Sequence, residues 1–147
     1  MGLFQSFDIS ASGMTAQRFR TDVIAENVAN VNTTSTADGT PYRRKIVTFE
    51  EKETSPFSQV LHKTRQGLVG NGVKVSEVTE DYETDFIMEY DPSNPDADEN
   101  GYVSYPNVNI VTEMTNLIDA SRSYEANVTA FDASKQIAQA GLQIGKS

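Results

Sequence analysis

The chain has no cysteine, and His62 is its one histidine. The missing thiols exclude a disulfide scaffold, a thiolate metal site and a cysteine nucleophile. One histidine leaves too few ligands for zinc catalysis. A Ser-His-Asp triad would have to use His62, and no glycine elbow adjoins it. It reads as a surface histidine. No stretch approaches the roughly 18 consecutive apolar residues of a membrane-spanning helix. Met1-Gly2-Leu3-Phe4 lacks a basic leader, and no apolar run of signal-peptide length follows. Passage out of the cytoplasm would need a route without a conventional cleaved signal.

At 147 residues the chain is about one domain long. Hydrophobic residues are 37%, below the usual apolar share of about 45–50%, which also counts glycine. That is too many for a disordered chain. The net charge of −9 argues against nucleic acid, whose phosphates are held by cations, and against an anionic membrane surface. The charge is unevenly placed. Residues 32–106 hold 14 acidic and 7 basic side chains, and the flanking segments are nearly neutral.

Those flanks carry apolar residues at helical spacing. Positions 3, 7, 10, 14, 17, 21, 24, 28 and 31 step by four and three, and six of the nine are apolar. The spacing predicts a helix over 3–31 with a soft coiled-coil seam through Leu3, Phe7, Met14, Ile24 and Val28. Gly13 costs a helix interior about 1 kcal/mol against alanine, which a tight backbone approach or a local break would explain. Asn27, Asn30 and Asn32 form an expected helix exit, because asparagine tolerates the left-handed conformation and bonds its own backbone. A second seam runs through Met114, Leu117, Tyr124, Val128 and Phe131. It predicts a helix over 109–144 opened by Pro106 and by Asn107 or Asn109, with Glu113 favoured by the helix dipole. Helices this long need a partner to cover their apolar residues.

The middle reads as strands and turns. Strands are expected at 42–49, from Val73 to about Val78, at 86–90 and at 102–105. Asp38-Gly39 and Gly70-Asn71-Gly72 are turns. Glu50–Ser58 reads as a flexible loop, and 59–69 as ambiguous. Asp96-Ala97-Asp98-Glu99-Asn100-Gly101 fits half of a calcium loop, with oxygens at alternate positions and a glycine at the sixth. The other half fails: Asn107 stands where a bidentate carboxylate is needed, and Pro92 and Pro95 forbid an entering helix. An acidic turn with Gly101 at positive φ is the simpler reading. Arg43, Arg44 and Lys45 make a small basic patch, read either as a contact for an acidic neighbouring subunit or as a solvated strand end. The carboxylates otherwise read as a solvated acidic surface.

The fold expected from these patterns is α+β: long terminal helices paired as a coiled-coil-like bundle, with a small β-rich middle. The helical part comprises 1–34 plus 107–147, and the β-rich middle 35–106.

Asn27-Val28-Ala29-Asn30-Val31-Asn32-Thr33-Thr34 resembles the asparagine-rich signature of the flagellar rod and hook axial proteins. Pro41-Tyr42-Arg43-Arg44-Lys45, Tyr90-Asp91-Pro92, the stretch from Asn94 to Val103, and Tyr105-Pro106-Asn107-Val108-Asn109 are similar to the same family. Ala120-Ser121-Arg122-Ser123-Tyr124-Glu125-Ala126-Asn127 resembles its C-terminal signature. The likeness runs from Leu3 to Ile144. It implies a structural subunit of the proximal rod, with the β-rich middle as an outer domain, no cofactor and no catalytic activity. It implies export through the flagellar type III apparatus and a place in the basal body, within the periplasm of a host with two membranes. The implied partners are further copies of the chain, the rod proteins FlgB, FlgF and FlgG, and the FliE adaptor. Two other readings are a calcium-binding module using Asp96, Asp98 and Asn100, and a wall-cutting enzyme, which no motif supports.

Overall fold

The computed structural model of the chain describes residues 3–53 and 70–145. The expectations for 54–58 and 59–69, and for His62, lie outside the described residues. Six elements follow in order: α1 (Leu3–Ala29), β1 (Lys45–Glu51), β2 (Val73–Glu80), β3 (Ile87–Tyr90), β4 (Tyr102–Tyr105) and α2 (Ile110–Ile144). The architecture is α+β, with two long helices first and last along the chain and two two-stranded sheets, β1-β2 and β3-β4. Among the described residues no helix is long and apolar enough to cross a membrane.

Helix α1 is unbroken at Gly13. It stops where Asn30 sends its side-chain amide to the Glu26 carbonyl at 2.9 Å, beside the main-chain bond from Asn30 to the same carbonyl. The next turns tighten, with Val31 reaching Val28 and Thr33 reaching Asn30. Side-chain competition for backbone partners ends the helix. The left-handed exit expected of the asparagines does not occur: among the described residues only glycines have positive φ. Helix α2 starts at an asparagine cap, Asn109 Oδ1 accepting from the Thr112 amide at 3.1 Å.

One strand differs from expectation at both ends. β1 starts at Lys45 and not at Tyr42, because the residues before it bond outside the ladder. It runs on through Glu50 and Glu51, where a flexible loop was expected. Lys74 of β2 pairs with Glu50 at 2.6 Å, and the Lys52 amide reaches the Gly72 carbonyl, so the strand is held past its apolar residues. The turn at Asp38-Gly39 is present, with Gly39 at φ 74° and its amide on the Thr36 carbonyl. Gly101 has the positive φ expected of it, 83°.

The chain divides into two compact units. One gathers the described residues of Met1–Phe19, Phe49–Ser76 and Ala120–Ser147; the other comprises Arg20–Thr48 and Glu77–Asp119. In the first, Phe7 and Phe131 pack with ring centroids 4.9 Å apart. There Gly13 faces Asn127 so closely that an added Cβ would lie 2.5 Å from its Oδ1. A side chain, not a backbone, makes the approach that Gly13 permits. Gly72, at φ 96°, faces Ser12 in the same way, and the Ser12 hydroxyl accepts the Val73 amide at 3.1 Å. In the second unit the core is small: Val23, Ile24, Tyr42, Val103, Pro106 and Val108 are its buried apolar residues. Polar side chains fill much of the rest.

Candidate functional site

Asn27 lies in the last turns of α1 with 1% of its surface exposed. Its Nδ2 donates to the Lys45 carbonyl at 2.9 Å and to Glu113 Oε2 at 3.0 Å. Its Oδ1 accepts from the Lys45 amide and from the Tyr42 hydroxyl, each at 2.9 Å. An asparagine amide has two donors and two acceptor lone pairs, so every one is used. The side chain pairs with both main-chain groups of Lys45 as a neighbouring strand would. It thereby ties α1 to the start of β1 and to the first turns of α2.

Glu113 is the other centre, also 1% exposed. Arg44 approaches its Oε1 with Nε at 2.9 Å and Nη2 at 2.8 Å. Asn116 adds a longer bond of 3.3 Å. A carboxylate removed from water this completely needs a paired cation and full hydrogen bonding, and Arg44 with Asn27 provides both. Arg44 also reaches Asp81 at 3.5 Å. The Arg44 amide donates to Asn107 Oδ1, and Asn107 Nδ2 donates to the carbonyls of Asp81 and Thr84. One network therefore joins the entry to β1, the end of β2 and the approach to α2.

The other cations of the basic patch also find partners in this unit. Lys45 pairs with Glu26 at 2.5 Å. Arg43 lies on two rings, 4.5 Å from the centre of Tyr82 and 4.2 Å from that of Phe86, and donates to the Asp81 carbonyl. Burial pushes the Tyr42 hydroxyl up to about 12, helped by the charges of Glu26, Glu113 and Glu80. Burial also acts to raise the Asp81 carboxyl, but hydrogen bonds from the Thr84 amide and hydroxyl, the Glu83 amide and Arg44 outweigh it and hold the group below its usual value. The network suits a rigid junction. Its carboxylates are spoken for by protein donors.

The residues expected at the helix seams have different environments. Ile24 is buried; Phe7, Met14, Val28, Leu117, Val128 and Phe131 are half-buried; Met114 and Tyr124 are exposed. Leu3 opens α1. Of the exit asparagines, Asn27 is a buried cross-link, Asn30 ends the helix, and Asn32 is exposed. Arg43, Arg44 and Lys45 all find partners within their own unit. Sequence reasoning missed Tyr42, Asp81 and Asn107 as members of a site, and read Glu113 as a dipole partner. No local signal separates a buried asparagine or glutamate from a capping one.

The half calcium loop is a set of hydrogen-bonded turns. Asp98 Oδ1 accepts from the Asn100 and Tyr102 amides, and Asp96 accepts the Thr34 hydroxyl. Among the described residues, no three or more His, Cys, Asp or Glu side chains converge as an ion site.

Residues 7–35 match the family described as Flagella basal body rod protein. Residues 99–144 match that described as Flagellar basal body rod FlgEFG protein C-terminal. The Flagellar basal-body rod protein FlgC of Bacillus subtilis (strain 168) is 47% identical over 152 residues, covering 99% of this chain and 100% of that protein. Its namesake in Borreliella burgdorferi is 41% identical, with 98% of each chain covered. That of Escherichia coli O157:H7 is 40% identical, covering 99% of this chain and 100% of its own.

Proposed function

The chain belongs to the FlgC family of flagellar basal-body rod proteins, and we propose that it builds the proximal rod through its terminal helices. It is a structural subunit of the basal body. A shaft that carries torque needs each subunit to contact several neighbours. Heterologous contacts that do not close give a helical tube and not a ring.

The observation that carries this reading is the exposed apolar surface of α2. Val111, Ile118, Ile137, Leu142 and Ile144 are 74%, 52%, 68%, 71% and 77% exposed. A helix of 35 residues with apolar side chains in water at both ends has surface reserved for something else. We assign it to neighbouring copies and to the adjoining rod proteins FlgB, FlgF and FlgG and the FliE adaptor. On this reading the helices are the inner layer and the strand-rich middle faces outward. The chain reaches its place through the flagellar type III apparatus, into the periplasm where the host has two membranes. The role is structural and not catalytic.

The test is Ile118→Asp and Ile137→Asp. Both side chains are exposed, so each change is expected to alter monomer stability by no more than about 0.5 kcal/mol. Incorporation into basal bodies and swimming are expected to be lost. Normal swimming by both variants would overturn the helix-contact reading.

A further inference from the structure

We propose that the outer edge of β3 is a docking strand for an extended, arginine-bearing segment of a partner protein. This surface is separate from the apolar faces of the helices and goes beyond the rod reading.

Among the described residues β3 pairs with β4 and no other strand. The register is antiparallel, from Ile87 opposite Tyr105 to Tyr90 opposite Tyr102. The Asp91 amide bonds the Gly101 carbonyl at 3.0 Å in that same register, which sets the phase of the ladder. Ile87 and Glu89 then exchange bonds with β4, and the amides and carbonyls of Met88 and Tyr90 point to the outer edge. Edge strands are usually blunted by short length, charged side chains, proline, a bulge or a cover, and of these β3 has only its four-residue length and Glu89. β3 reads Ile-Met-Glu-Tyr, and all four residues are exposed.

The side chains on one face suit a cation. Met88, Tyr90 and Tyr102 share it, exposed by 55%, 64% and 44%. The two tyrosine rings meet edge-on at 5.3 Å, leaving aromatic faces to solvent. Val103, on the opposite face, is fully buried and seats the ribbon. The charge selects the occupant. No Lys, Arg or His stands between Lys74 and Arg122, while ten acids lie between residues 77 and 99. A second copy of this ribbon would bring like charge to like. On that face an arginine would find the tyrosine rings within a segment rich in carboxylates, as Arg43 finds the rings of Tyr82 and Phe86.

The test follows the backbone amides of the intact chain by NMR while a short peptide alternating arginine with valine is added. The Met88 and Tyr90 amides are expected to shift and gain exchange protection; a glutamate-valine peptide is expected to leave them unchanged. Met88→Pro keeps the charge and removes one outward amide. Because that amide is not in the ladder, the ribbon tolerates it, and binding is expected to fall about tenfold. The same peptide N-methylated either at its arginines or at its valines probes the edge without altering the protein; the pattern that blocks the amides facing β3 is expected to lose a similar factor and the other to bind as before. Equal binding by both methylated peptides and the unmethylated one, or shifts elsewhere on the chain, would overturn the proposal. So would concentration-dependent protection of Met88 and Tyr90 in the chain alone, which would put a second copy on the edge.

Discussion

Asn27 donates to Glu113 at 3.0 Å across 86 residues of sequence, and both side chains are almost wholly buried. The bond joins the end of one terminal helix to the start of the other. It also completes the hydrogen bonding of a carboxylate that has left water. The pair makes the asparagine signature a structural cross-link as well as a helix stop.

Asn27→Leu removes four hydrogen bonds and leaves Glu113 and both main-chain groups of Lys45 short of partners. Glu113 keeps its Arg44 ion pair, but each buried polar group left without its partner costs about 1–3 kcal/mol. Urea unfolding is expected to show a loss of that order. Asn32→Leu, at an exposed position, is expected to change stability by less than about 0.5 kcal/mol. Equal losses for the two variants would remove the cross-link from its role.

Gly13→Ala sets two effects against each other. Alanine gains about 1 kcal/mol in helix propensity. Its Cβ would meet Asn127 at 2.5 Å, and Asn127 is held by a 2.8 Å bond to the Ser123 carbonyl. Overpacking costs about 1–3 kcal/mol, so the single change is expected to destabilise. Adding Asn127→Ala is expected to restore the lost stability, giving a coupling that thermal unfolding of the four proteins measures. Additive effects would show that the two side chains do not compete for space.

Stability is expected to fall at both ends of the pH scale. The Asp81 carboxyl is held low in the fold, as are Glu50, by Lys74, and Asp91, by Ser93. Their contribution is present above the ordinary carboxylate range and is lost as the pH drops through their folded values. Tyr42 is raised from 10.0 to about 12. Its contribution is complete below pH 10.0 and is lost as the pH climbs toward about 12. Tyr42→Phe is expected to cost about 1 kcal/mol near neutrality, through the lost bond to Asn27, and to flatten the alkaline decline. Urea midpoints across pH test both. An alkaline slope unchanged by Tyr42→Phe would assign that decline to other groups, such as Lys74, raised by Glu50.

Much was legible in the residues alone. Apolar spacing located both helices within two residues at each end, because a helix is specified by neighbours three and four apart. Alternation and β-forming side chains located four strands, and glycine marked the turns at Gly39 and Gly101. The chemistry of the polar junction was not legible. Asn27, Asn107 and Glu113 carry the same local signal as capping residues, and which carbonyl or carboxylate each meets depends on chain that is distant in sequence. The same holds for Gly13, whose neighbour Asn127 comes from the opposite terminus, and for the extension of β1 past its apolar residues, which Lys74 supports. The elements, their order and the acidic middle follow from the residues alone, because these rest on short-range periodicity and composition. Which polar groups are buried and which apolar ones stay in water follows from packing, because burial belongs to the packed whole.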